Sequence, residues 1–265
     1  MGRITRAIAA ATSVVTPLLP PACPLCRTPV PQSGVLCPSC WPEVAFLNGN
    51  GCVQCGRPVL TVPGDAAPVC DGCLALDPPW ERGRAVFRYS EGGRRLVMAL
   101  KHGDRVDTLP LLGQWMARAG EALVEEADMV VPVPLHWQRR LARKFNQAAG
   151  LAQATCRASG QTGKFAPSSL VRVHRTDSQG RKSRADRAEN IAGAFRTGPE
   201  AARIQGARVL LVDDVLTTGA TLAECARTCL AAGARAVDVL VLALVVPEEM
   251  PYIPAPSEDE NHETS

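Results

Sequence analysis

The chain has 265 residues, 46% hydrophobic and 21% charged, which excludes wholesale disorder and collagen-like or coiled-coil character and leaves room for one large domain with or without a small one. Aromatic residues make up only 4%, arguing against a broad base-stacking platform, and a formal net charge of +3 does not by itself imply a nucleic-acid partner. The charge is unevenly spread, with 13 Lys/Arg against 3 Asp/Glu between Trp137 and Arg196, and six acids with no Lys or Arg in Glu248–Ser265. No run of 18 or more apolar residues is present, so no membrane span is expected.

At the N-terminus, Arg3 and Arg6 with the weakly apolar stretch 4–19 have the outline of a signal peptide. Ile4, Ile8, Ala11 and Val15 nevertheless fall at helical spacing, and Pro17, Pro20 and Pro21 then end the segment. Residues 1–20 are therefore expected to form a short amphipathic helix, and the chain to be cytoplasmic.

Eight of the eleven cysteines come as four Cys-x-x-Cys pairs: Cys23/Cys26, Cys37/Cys40, Cys52/Cys55 and Cys70/Cys73. Ten, eleven and fourteen residues separate successive pairs, so two adjacent pairs can fold back and supply four thiolates to one tetrahedral ion. Two structural zinc ions are expected, in a module spanning residues 21–79. A redox dithiol would occur once, at a helix N-terminus, and four repeats in a Pro/Gly-rich segment weigh against it. Sequential pairing closes the shortest loops; interleaved pairing stays open. Four protein ligands per ion leave no position for catalysis, which makes the module scaffold or docking surface. Cys156, Cys225 and Cys229 are expected to be buried packing.

After Pro78 and Pro79 longer apolar stretches begin, and residues 80–247 read as a second domain. Its expected elements are a strand near Arg84–Tyr89 and helices near Arg94–Lys101 and Leu109–Glu125. A strand at Met129–Pro132, a helix near Phe145–Ser159 and strand-like stretches near Leu170 and Ala192 follow. The alternation predicts an α/β fold with a parallel sheet. The acidic, Pro-containing tail, residues 248–265, is expected to be disordered.

The stretch Arg208-Val-Leu-Leu-Val-Asp213-Asp214-Val-Leu-Thr217-Thr218-Gly219-Ala220-Thr221-Leu222 carries the most information. A continuous apolar run ending in two acids reads as a buried parallel strand, and ligands of open α/β sheets sit outside the carboxyl ends of such strands. The loop Thr217–Thr221 would then open a helix Leu222–Ala232 capped by Gly233. Helix N-terminal amides and three threonine hydroxyls suit a phosphate monoester. Asp213 and Asp214 suit hydroxyl donors, so the pattern specifies a 5-phosphorylated ribose. The plainer account is a helix cap after a strand with solvated acids. Neither a Gly-x-x-x-x-Gly-Lys-Ser/Thr nor a Gly-x-Gly-x-x-Gly motif is present, which disfavours NTPase and dinucleotide readings.

Val209–Leu222 resembles the PRPP-binding signature of type I phosphoribosyltransferases. Together with the four Cys pairs, Val131-Pro-Val-Pro-Leu-His136, Phe145-Asn-Gln147 and Arg187-Ala-Glu-Asn190-Ile-Ala-Gly-Ala-Phe195, the chain resembles the ComF family of competence-associated proteins. Lys144 stands where that family usually has Gly. The resemblance implies a type I phosphoribosyltransferase-like α/β domain behind a double zinc ribbon, with Mg2+ accompanying PRPP. It implies PRPP contacts from Val212, Asp213, Asp214, Thr217, Thr218, Gly219, Ala220 and Thr221, Asp213 and Asp214 holding the ribose. Pyrophosphate would lie against Pro132, Val133 and Pro134, with Lys101 a further cation; His102, Arg139, Arg140, Arg143 and Lys144 have a solvated face as the plainer account. The polar stretch Arg172–Arg187 would be the loop that closes over PRPP, with Arg187 and Asn190 as its working residues.

Three functions follow for testing. One is Mg2+-dependent transfer of phosphoribosyl from PRPP to an unknown acceptor. Another is a non-catalytic PRPP- or nucleotide-binding adaptor in DNA uptake, engaging single-stranded DNA or competence helicase and processing proteins. The third, nucleobase salvage, has no segment that specifies a base.

Overall fold

A computed structural model describes residues 20–32, 34–47, 51–59, 68–101, 105–135, 145–173 and 191–246. The expected N-terminal helix, the tail, His102, the segment 136–144 and the loop with Arg187 and Asn190 lie outside the described residues.

The larger domain is built on a four-stranded parallel sheet. Its strands are β1 (Arg82–Arg88), β2 (Met129–Pro132), β5 (Arg208–Leu216) and β6 (Ala236–Leu244), in the order β1-β6-β5-β2. The two central strands are Val/Leu runs because both of their faces are covered. Val209, Leu211, Val237, Val239 and Val241 pack on one side with α6 (Ala220–Ala231). Leu210, Val212, Leu240 and Leu242 pack on the other with α2 (Glu91–Lys101), α3 (Leu109–Ala119) and α5 (Gln147–Ala158). The alternation is that of a strand whose successive side chains leave opposite faces.

Two expectations are corrected. The single helix expected over Leu109–Glu125 is two, α3 and α4 (Glu121–Glu126), divided at Gly120. A Cβ on Gly120 would lie 2.8 Å from both methyls of Leu240, so the close approach to β6 selects glycine there. The stretches near Leu170 and Ala192 do not join the parallel sheet. They form β3 (Leu170–Arg172) and β4 (Phe195–Thr197), an antiparallel pair of their own, with the guanidinium of Arg172 5.3 Å from the Phe195 ring centroid.

The zinc module is divided between the faces of the sheet. Cys23, Cys37 and Cys40 pack with Leu96, Val97 and Leu112 on the α2/α3/α5 side. The chain leaving this ribbon bridges the β1 edge: Leu47 N–H donates to Val86 O at 2.8 Å and Arg88 N–H to Ala45 O at 2.9 Å. Phe46 lies edge-on to Phe87 and Trp115, an aromatic cluster that fastens this ribbon to β1 and α3. The second ribbon, with Cys52, Cys55, Cys70, Cys73 and α1 (Asp71–Leu76), joins the α6 side through Trp80 and Ala85. Far from the carboxyl edge, at the start of the strands, fully buried Asp238 accepts from Arg82 (2.8 and 3.2 Å) and Arg208 (2.9 Å). Among the described residues no helix is long and apolar enough to cross a membrane.

Candidate functional site

The cysteines form two clusters, Cys23/Cys26/Cys37/Cys40 and Cys52/Cys55/Cys70/Cys73, with all ligand atoms of each within 4.8 Å of one another. The pairing is sequential. Sulfur separations of 3.5 Å (Cys26–Cys37) and 3.7 Å (Cys55–Cys70) match the edge of a tetrahedron with zinc–sulfur bonds of about 2.3 Å. Backbone turns hold the thiolates, with Cys37 N–H directed at Cys23 Sγ (3.4 Å). Hydrogen bonding to Thr28 holds the Cys26 thiol down at about 6, whereas the Cys52 sulfur pushes Cys73 up to about 12 and burial raises Cys40. Four sulfurs this close cannot all be anionic without a cation, and a divalent ion satisfies both clusters. Both are structural zinc sites with no open ligand position. Cys225 and Cys229 are fully buried in α6, and burial lifts both thiols well above their ordinary range.

The second constellation lies at the carboxyl end of β5. The two acids are within the strand, not beyond it, since β5 runs on to Leu216. β2 stops at Pro132, opposite Val212, so Asp213 and Asp214 stand past the end of their neighbour on that side. Asp214 pairs with Lys101 at the end of α2 (Nζ–Oδ2 3.2 Å). Asp213 accepts the amide of Asp214 on Oδ1 at 2.8 Å. Burial, followed by the charge of Asp214, raises Asp213 to about 8, although the Asp214 amide, Lys101 and Arg172 pull it down. A carboxyl poised near neutrality exchanges its proton on meeting a hydroxyl donor or a cation.

The loop that follows is short because α6 begins at Ala220, two residues before the expected Leu222, so Ala220 and Thr221 already lie in its first turn. Gly219, the residue before the helix, has φ +79°, a left-handed conformation that a Cβ resists. Gly219 has no side chain to cap the helix, and the Ala220 amide donates a long bond to Thr218 Oγ1 at 3.5 Å. The first-turn amides have no intrahelical acceptor, which leaves donors and the positive end of a twelve-residue dipole facing the loop. Thr217 is exposed and Thr218 partly buried. At the other end Gly233 (φ +91°) terminates α6 as expected, with Ala234 N–H bonding Cys229 O at 3.1 Å.

Pro132, Val133 and Pro134 leave β2 beside Val212. The Val133 amide donates to Val212 O (2.9 Å) and prolines have no N–H, so residues 132–134 can offer an anion shape but not amide donors. Val212 itself has a fully buried side chain and can contribute only backbone. Two positioning residues carried no local signal beyond their motif. Asn146 Nδ2 donates to Val133 O at 3.4 Å, and buried Gln147 Nε2 donates to Leu100 O (3.4 Å) and Lys101 O (3.5 Å), holding the end of α2 that presents Lys101. Arg187 lies outside the described residues.

Residues 14–74 match the model of the double zinc ribbon domain. DNA utilization protein YhgH of Salmonella typhi is 33% identical over 231 residues, 84% of this chain and 97% of its own. Competence protein ComFC of Bacillus subtilis is 26% identical over 221 residues, 79% and 83% of the two chains. Among solved structures, the glutamine PRPP amidotransferase of B. subtilis is similar at TM-score 0.35 and 19% identity, over 55% of this chain and 27% of that one, which adds nothing to the strand order above. With one such relative matched along nearly its whole length and a double zinc ribbon ahead of a parallel α/β domain, the chain belongs to the ComF family.

Proposed function

We propose that the protein binds PRPP with Mg2+ at the carboxyl edge of β5 and transfers its phosphoribosyl group to an acceptor. The observation that carries this reading is the adjacency of Asp213 and Asp214 to the uncapped N-terminus of α6. The amides of Gly219, Ala220 and Thr221, with the hydroxyls of Thr217, Thr218 and Thr221, would hold the 5-phosphate. The two carboxylates would accept hydrogen bonds from the ribose hydroxyls. Lys101, now paired with Asp214, would turn to the diphosphate as it leaves with the electron pair of the ribose C1–O bond. Mg2+ bound with PRPP supplies further charge neutralisation at the phosphate and ribose oxygens. Pro132, Val133 and Pro134 would form the wall on the β2 side, and Arg187 would belong to the closing loop.

The names of the relatives, DNA utilization and competence proteins, support a place in DNA uptake or use, in the cytoplasm, where zinc thiolates stay reduced. The test is a pyrophosphate-release assay on the zinc-loaded protein with PRPP, Mg2+ and candidate acceptors. Release that disappears in the Asp213→Asn/Asp214→Asn variant, with circular dichroism and zinc content unchanged, is the expected result. Retained PRPP affinity in that variant would show the ribose to be misplaced, and tight binding without release under any acceptor would leave an adaptor.

A further inference from the structure

The two cysteine clusters differ in how they meet solvent. Cys52, Cys55, Cys70 and Cys73 of the second are all buried, and so are Cys23, Cys37 and Cys40 of the first, whereas Cys26 is exposed. Arg27, Thr28 and Pro29, which follow it, are exposed as well, so the outer knuckle of the first ribbon stands in water. A cysteine that ligates a divalent cation stays a thiolate at neutral pH, and a thiolate that solvent reaches is the form that peroxides oxidise. Cys37 Sγ lies 3.5 Å from Cys26 Sγ, so the two sulfurs need to close by only about 1.5 Å to form a disulfide.

The same ribbon grips the helix that carries Lys101. Glu43, shortly after Cys40, packs on Gly92 of α2, where a Cβ would stand 2.9 Å from both Cβ and O of Glu43. Arg95 of α2 pairs with the Glu43 carboxylate and donates to Leu25 O, next to Cys26, at 3.2 Å. Arg105, just beyond α2, donates to Pro24 O at 3.2 Å. Leu96, Val97 and Leu100 share one core with Cys23, Cys37 and Cys40. Lys101, the last residue of α2, pairs with Asp214. The four sulfurs of the first cluster therefore fix a surface on which α2 rests.

We propose that Cys26 is an oxidation site for hydrogen peroxide, resolved by Cys37, and that its oxidation dismantles the first zinc site, spares the second, and loosens α2 with Lys101. The Cys26 thiolate attacks a peroxide oxygen; an S–O bond forms, the O–O bond breaks and hydroxide leaves, giving a sulfenic acid. The Cys37 thiolate then attacks the Cys26 sulfur; the S–S bond forms, the S–O bond breaks and a second hydroxide leaves. Two thiolates have lost two electrons and the peroxide has gained them. Cys23 and Cys40 alone no longer complete a tetrahedral ligand set. A dithiol reductant reverses the change by thiol–disulfide exchange. The consequence for PRPP rests on the function proposed above; the oxidation site itself does not.

The test exposes the zinc-loaded full chain to hydrogen peroxide and follows released zinc with a chromogenic chelator, cysteine oxidation by mass mapping, and amide hydrogen exchange in α2. The expected result is one ion released per chain, a Cys26–Cys37 disulfide, unmodified Cys52, Cys55, Cys70 and Cys73, and protection lost in α2 but kept in β6, all restored by dithiothreitol and zinc. Cys26→His keeps a zinc ligand at that position and should hold both ions over the time that empties the first site of the wild type. Equal release from Cys26→His overturns the assignment, and should that variant fail to bind two ions, the order of oxidation in the wild type decides. Simultaneous loss of both ions, first oxidation at any other cysteine, or a disulfide from Cys26 to a partner other than Cys37 also overturns it. Zinc release with unchanged protection in α2 overturns the coupling to Lys101. Oxidation at Cys26 in a chain that binds no PRPP even when reduced upholds this site and overturns the ribose reading, whereas PRPP affinity equal before and after oxidation keeps that reading and overturns the coupling.

Discussion

Asp213→Asn should stabilise the ligand-free protein in mildly alkaline solution while destroying the site. Folding moves the Asp213 carboxyl from an ordinary 3.8 to about 8, because it is buried and faces Asp214. The folded state therefore keeps a proton that the unfolded chain has already lost, and the contribution of Asp213 to stability falls as pH rises through this interval and levels off above it. Between about pH 6.5 and pH 8.5 the loss works out at about 2 kcal/mol, worth several degrees of melting temperature in a chain of this size. Wild type and variant share the same zinc ligands, so the protons released on zinc binding cancel in the difference between the two. The asparagine can still accept the Asp214 amide but carries no charge, so the stability of the wild type relative to the variant in urea unfolding should fall by that amount over the same window. Parallel pH profiles for wild type and variant would refute the reasoning, since they would mean that Asp213 is ionised in the folded state throughout.

The same proton must leave for ribose hydroxyls to donate to Asp213, so PRPP affinity should rise up to about 25-fold over that pH range, with proton release seen as buffer-dependent heat; a flat profile would argue against the contact. Gly219→Ala should cost about 1–2 kcal/mol of strain at φ +79° and push on Trp80, lowering the melting temperature and PRPP affinity together. Asp238→Asn should cost about 3 kcal/mol by leaving Arg82 and Arg208 without their buried partner, with PRPP affinity unchanged in calorimetry because the cluster is at the opposite edge of the sheet. Cys55→Ser should reduce zinc from two ions to one and lower the melting temperature, since Cys55 lies in the same core as Trp80 and Leu222; two retained ions would contradict the ligand set.

What the sequence showed plainly was what depends on spacing along the chain. Cys-x-x-Cys pairs at short intervals leave few ways to close a tetrahedron, and sequential pairing was the shortest. The run Val209–Val212 could be read as a buried strand because both faces of β5 are covered. Boundaries set by tertiary contact were harder to read. Gly120 breaks a continuous amphipathic pattern only because Leu240 approaches from another strand, and β3 and β4 are three residues each, too short for their antiparallel partnership to leave a period. In the site, the adjacent acids and the Thr-Thr-Gly-Ala-Thr loop were visible locally. The Lys101–Asp214 pair, the Val133 amide spent on Val212 and the approach of the Trp80 ring to Gly219 each join residues far apart in sequence, and no local pattern encodes them.

The central claim is that the carboxyl edge of β5 is a PRPP site, and calorimetric titration of the zinc-loaded protein with PRPP in the presence and absence of Mg2+ tests it most directly. The account predicts one Mg2+-dependent site per chain, lost in Asp213→Asn/Asp214→Asn. Absence of binding by the wild type, with zinc and fold intact, would contradict it.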